Sequence, residues 1–135
     1  MGLSQQTLAS DEWELMLVDN HSSPPVTAAE LPTNARLIVE PELGLTHARR
    51  CGIQAANGQL LILVDDDNVL SANYLTDAWS IAERHPKLGS FGGPVSPLFD
   101  YPPAGWVTEF HSLLALRDLG ATAIASALDA AGVDA

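Results

Sequence analysis

Short apolar runs alternate along this chain with segments whose apolar residues recur every three or four positions. Trp13 to Val18 (WELMLV) runs into Asp19-Asn20-His21-Ser22-Ser23-Pro24-Pro25, and Arg36 to Val39 (RLIV) runs into Glu40-Pro41. Both runs are short and closed by turn-forming residues, which predicts strands. Leu60 to Val64 is apolar at every position, and that continuity predicts a central parallel strand covered on both faces. Between these strands, Thr46 to Asn57 carries Ala48, Cys51, Ile53, Ala55 and Ala56 and closes on Asn57-Gly58, the pattern of a helix and its stop. Ser71 stands where a cap would open a second helix, with Leu75, Ala78, Trp79 and Ala82 at helical spacing and His85-Pro86 as its end. Gly89 to Phe91 predicts another short strand before Gly92-Gly93-Pro94 and a proline-rich loop through Pro103. Trp106 to Leu119 predicts a further helix with Phe110, Leu113, Leu114 and Leu116 on its apolar side, and the alanine-rich stretch Ala121 to Ala135 predicts a weak helix or a frayed tail. Strand and helix in alternation define an α/β fold with a mostly parallel sheet.

With 135 residues, 47% of them hydrophobic, the chain supports a single core. Its expected organisation is a lead-in over 1–12, an α/β core over 13–104 and a helical segment over 105–135. Six basic residues against 17 acidic ones, a net charge of −11, exclude a nucleic-acid groove, which needs clustered Lys and Arg. No stretch approaches the roughly 20 apolar residues of a bilayer span, and MGLSQQTLAS lacks the basic and apolar regions of a secretion signal. Gln6 stands where a myristoylation signal after Gly2 would need Ser or Thr. A cytoplasmic chain is expected, or one lying peripherally at the inner membrane face. Cys51 is the single cysteine, which excludes an internal disulfide, and it has no partner at zinc-ligand spacing. His21, His47, His85 and His111 share no spacing that defines a site.

The chemistry concentrates in Asp65, Asp66 and Asp67. Adjacent carboxylates repel one another and resist desolvation, so their placement after an apolar run requires a compensating gain. A divalent cation supplies one. In an open parallel sheet, ligands gather beyond the carboxyl ends of the strands, and Asp19 ends the first strand as Asp65 ends the third. Magnesium or manganese is commonly held by one or two carboxylates, with water and phosphate oxygens completing the shell. The alternative is a plain turn that caps the following helix. A calcium-binding EF-hand loop counted from Asp65 is excluded, because its sixth and twelfth positions are Leu70 and Thr76 rather than Gly and Glu.

Two families fit the triplet. VDDDNVL resembles the D-x-D-x-[TV] segment of haloacid-dehalogenase-like phosphatases, which would make Asp65 the nucleophile and Asp67 the acid/base. In that family, however, the motif ends the first strand, whereas two strands precede it here, and Lys87, the only lysine, follows closely. Residues 13–97 resemble the family 2 glycosyltransferases, inverting enzymes of the GT-A fold, through three segments in order. WELMLVDNHSS resembles the strand ending in the base-binding aspartate. GLTHARRCGIQAANGQLLILVDDDN resembles the family's G-x-x-x-A-R-N-x-G-I, helix, turn and apolar strand ending in D-x-D, with Arg50 standing where the family has Asn. FGGPVSP resembles the strand and glycine pair that follow.

The resemblance implies metal-dependent transfer of a sugar from a nucleotide-diphospho-sugar to a saccharide or other hydroxyl acceptor, as in bacterial polysaccharide biosynthesis. It implies Asp19 at the base, Arg49 supporting the nucleotide pocket, Asp65 and Asp66 against the ribose and diphosphate, and Asp67 as ligand to Mn2+ or Mg2+. The family's opening strand and helix are expected to be missing, since about a dozen residues precede Trp13. The catalytic base is unassigned: Glu109, Asp118 and Asp129 match no base motif, and the family carries its base beyond the region present here, so the chain is expected to be truncated at both ends and need not be active alone. A nucleotide- and metal-binding module without turnover is the other class of function. An unpaired sheet edge predicts self-association.

Overall fold

The computed structural model describes residues 2–113 and residue 120. The predicted tail over 121–135, and positions 114–119 of the predicted last helix, lie outside the described residues. The chain divides into two units, Met1–Leu88 and Gly89–Ala135.

In the first unit, strand β1 (Leu15–Asp19) pairs in parallel with β2 (Ala35–Val39), Leu15 opposite Ala35 and Asp19 opposite Val39. The pairing continues at both ends, where Leu15 N–H donates to Asn34 O at 3.0 Å and Glu40 N–H to Asp19 O at 2.9 Å. Helix α1 (Leu45–Ala55) follows β2 and lies on β1: a Cβ on Gly52 would stand 3.3 Å from Val18 Cγ2. Only a residue without a side chain allows that approach without a shift. Helix α2 (Tyr74–Arg84) supplies the two buried apolar residues among those described, Leu75 and Ala78. This parallel pair of strands with two helices is the expected α/β class. No helix among the described residues is long and apolar enough to cross a membrane.

Several elements differ from expectation. Residues 60–64 run without regular pairing and form no third strand. Leu60 and Ile62 are half-buried while Leu61 and Leu63 are exposed, so one side of the run is covered rather than both. An apolar run encodes a preference for burial, but a strand exists only where a neighbour supplies the ladder. Gly89 to Phe91 is unpaired in the same way. On α1, the half-buried positions are His47, Ala48, Cys51, Gly52 and Ala55, while Ile53 faces outward at 47% exposure. The helix ends at Ala55, two residues before the expected stop: Ala56 N–H still meets Gly52 O at 3.1 Å as the cap, and Glu14 takes the donor after it, with Asn57 N–H on Glu14 Oε1 at 2.7 Å. Arg36 reinforces this end, donating to Ala55 O and pairing with Glu14 at 3.6 Å. In the second unit, Gly105–Leu113 winds as a 3₁₀ helix where an α-helix is expected, with Trp106 and Phe110 packed edge to face at 6.1 Å.

Ser71 does not cap α2 with its side chain. The N-terminal segment does so from across the unit: Gln6 Oε1 accepts the Leu75 N–H at 3.1 Å, and Gln6 Nε2 donates to Gly2 O and Ser71 O at 2.8 Å each. Thr7 N–H donates to Ala72 O at 2.9 Å alongside. Gly2 is needed for this approach, since a Cβ there would stand 2.7 Å from Leu70 N. Gln6→Ala leaves an N-terminal helix donor without its partner, and is expected to cost about 1 kcal/mol in a urea unfolding series.

Candidate functional site

The candidate site lies in the first unit, where β1 and β2 end. Asp19, the last residue of β1, is the buried charged residue among those described, 5% exposed. Its carboxylate accepts the Ser22 N–H at 2.8 Å and the Val26 N–H at 3.2 Å, turning the chain sharply after the strand. His21 completes the turn in the left-handed region at φ 67°, with its ring nitrogen on Pro41 O. The Ser22 hydroxyl and backbone N–H, with Val26 N–H, hold the Asp19 carboxyl below the usual carboxylate range against the opposing effect of burial. Asn57, by its backbone and then its side chain, and Arg36 hold Glu14 low in the same way.

Both shifts link stability to pH with one sign. A carboxyl that ionises more readily in the folded chain stabilises it above the unfolded pKa, and that contribution is lost as pH falls through the folded pKa. The urea midpoint is therefore expected to fall between about pH 5 and about pH 3, and Asp19→Asn combined with Glu14→Gln to flatten that fall.

The aspartate triplet forms a tight turn. Asn68 N–H donates to Asp65 O at 3.1 Å, which leaves Asp66 and Asp67 at the exposed corner. Asp65 Oδ1 pairs with Arg49 Nη2 of α1 at 3.2 Å, and Asp67 Oδ1 accepts from Asn68 Nδ2 at 3.0 Å. The triplet is a turn, but it does not cap the next helix, which begins at Tyr74 and whose Leu75 N–H belongs to Gln6. The pairing of Arg49 with Asp65 joins the GLTHARRCGI segment to the aspartate turn. Asp19 is committed to its own loop, and no hydrogen bond or ion pair among the described residues joins it to the triplet.

No group of three His, Cys, Asp or Glu among the described residues is placed to hold a metal ion. The donor chemistry at the turn nevertheless fits Mg2+ or Mn2+ bound through one or two carboxylates: Asp66 and Asp67 present hard oxygens to solvent. Histidines serve elsewhere: His47 Nδ1 lies 3.2 Å from Glu42 Oε2, within ion-pairing distance but without hydrogen-bond alignment. Asn20, which the sequence did not single out, binds three backbone groups at this end of the sheet. Its Nδ2 donates to Glu40 O at 2.9 Å and Glu42 O at 2.8 Å, and its Oδ1 accepts the Gly44 N–H at 2.7 Å. Its position directly after a strand-ending aspartate was the available signal.

The parallel pair β1 and β2, with Asp19 ending β1 and α1 packed on that strand, is an α/β arrangement, the class in which ligands gather beyond strand ends. The model of the family described as "Glycosyl transferase family 2" matches residues 3–126, and the chain belongs to that family. No curated protein and no solved structure matches it. The domain is of glycosyltransferase type.

Proposed function

We propose that this chain binds a nucleotide-diphospho-sugar and a divalent cation, as the donor half of a reaction that transfers the sugar, with inversion, to a hydroxyl acceptor. The carrying observation is the Asp65–Asn68 turn, braced by Arg49 from the GLTHARRCGI segment and not spent on capping α2. Family membership supports the reaction class.

In this reading, Asp67 holds the cation at the exposed corner, and Asp66 stands beside it toward the diphosphate. The cation neutralises negative charge on the departing nucleoside diphosphate. Arg49 fixes Asp65, so that the turn presents its carboxylates in one arrangement instead of splaying under mutual repulsion. Asp19 serves the base side. Its carboxylate has roughly four acceptor positions, and the hydrogen bonds from Ser22 and Val26 leave about one for a base N–H. The acceptor-activating base remains unassigned.

Calorimetric titration with uridine, guanosine, adenosine and cytidine diphosphates tests this function. One of them is expected to bind only with manganese present. Binding of none, with hydrolysis of simple phosphate esters and a phosphate trapped on Asp65, would instead establish the phosphatase chemistry. Binding without sugar transfer to any acceptor identifies a module that holds donor and metal without turnover.

A second copy of the chain is a further partner in this reading, meeting the edge of β2 that no other strand among the described residues covers, where Val39 is 67% exposed. At a net charge of −11, self-association is expected to strengthen with salt, and light scattering that finds a monomer at every concentration and salt level removes it.

A further inference from the structure

We propose that Asn20 is a positioning residue of the donor site, setting the distance between the base-side loop of Asp19 and the phosphate-side pair of Arg49 and Asp65. This rests on the donor-site reading above. Asn20 is bonded covalently to Asp19, so its backbone moves with the base-side loop. Its side chain binds three backbone groups beyond β2: Glu40 O, Glu42 O and Gly44 N–H, all within 2.9 Å. That engages three of the four hydrogen bonds a carboxamide can make.

Gly44 is the residue at the head of α1, with φ 139°, a conformation that favours glycine, and no side chain caps this helix end. Fixing the Gly44 N–H therefore fixes where α1 starts. One turn into α1, Arg49 reaches Asp65, and one turn beyond that, Gly52 rests on Val18, the neighbour of Asp19. Asn20 thus closes a ring that runs from Asp19 through the head of α1 to Gly52 and back through Val18 of β1, and Arg49 ties the aspartate turn to the side of that ring.

A ligand held both at Asp19 and at the aspartate turn binds far more tightly than either of its halves, because the second contact is intramolecular. A small error in the spacing removes that advantage while leaving each end intact. The test uses the nucleoside diphosphate that the parent chain binds best, its free nucleoside, and manganese pyrophosphate, each titrated against the parent, Asn20→Ala and Asn20→Asp. The aspartate variant keeps an acceptor for Gly44 N–H and loses both donors. Either variant, checked as folded by circular dichroism, is expected to bind the intact diphosphate about tenfold more weakly and each half within about twofold of the parent.

Equal weakening of all three ligands would reveal a general structural role and overturn the proposal, as would unchanged binding of the intact ligand or failure of both variants to fold. A parent chain that binds no nucleoside diphosphate would instead overturn the donor-site reading, a result distinct from tight binding that Asn20 does not affect.

Discussion

Asp67→Ala is expected to lower manganese-dependent sugar transfer by about a hundredfold or more while leaving the urea midpoint unchanged. The two halves of that expectation have separate physical origins. Asp67 is exposed at the corner of the Asp65–Asn68 turn, and its hydrogen-bond contact is with the adjacent Asn68 side chain. Removing it deletes no buried contact and relieves repulsion between neighbouring carboxylates, so the fold has little to lose. The leaving group, by contrast, gathers negative charge as the glycosidic bond breaks, and Asp67 is the residue proposed to hold the neutralising cation there. Asp67→Asn keeps the shape and the hydrogen-bond acceptor but removes the charge, and should lose as much activity as alanine. Assay of both variants with purified donor over a manganese series is the check. Full activity in either would remove Asp67 from the metal site.

The local elements were legible because their signals are local. WELMLV and RLIV carry both a β-favouring run and a turn after it, and they pair as β1 and β2. The Thr46 to Asn57 and Ser71 to His85 patterns located α1 and α2 within two or three residues of their ends. What could not be read depends on partners distant in sequence. Leu60 to Val64 has the composition of a central strand, but composition does not supply a neighbouring ladder. The cap of α2 comes from Gln6, on a segment with no marked pattern, and the donor just past the end of α1 is taken by Glu14, which precedes that helix by some thirty residues. Within the candidate site, motif spacing singled out Arg49 and Asp65, which the fold joins at 3.2 Å. It did not reveal that Asp19 bends its own loop, or that Asn20 beside it ties that loop to α1.

Leu75→Ala should be the most destabilising single truncation in the first unit, at about 2–3 kcal/mol. Leu75 and Ala78 are the buried apolar side chains among the described residues, so the seat of α2 depends on very few contacts. Folded domains are held by roughly 5–15 kcal/mol in total, so a loss of this size removes a large share of the margin. The variant keeps the backbone donor that Gln6 binds, so the cost isolates the lost apolar burial and the cavity left behind. Leu61→Ala is the matched control, since Leu61 is already 46% exposed and its truncation should cost less than about 1 kcal/mol. Urea unfolding followed by circular dichroism compares the two at equal slope. If Leu61→Ala cost as much as Leu75→Ala, the apolar run over 60–64 would be as buried as its composition implies, and the core would extend to the side where residues 60–64 lie unpaired.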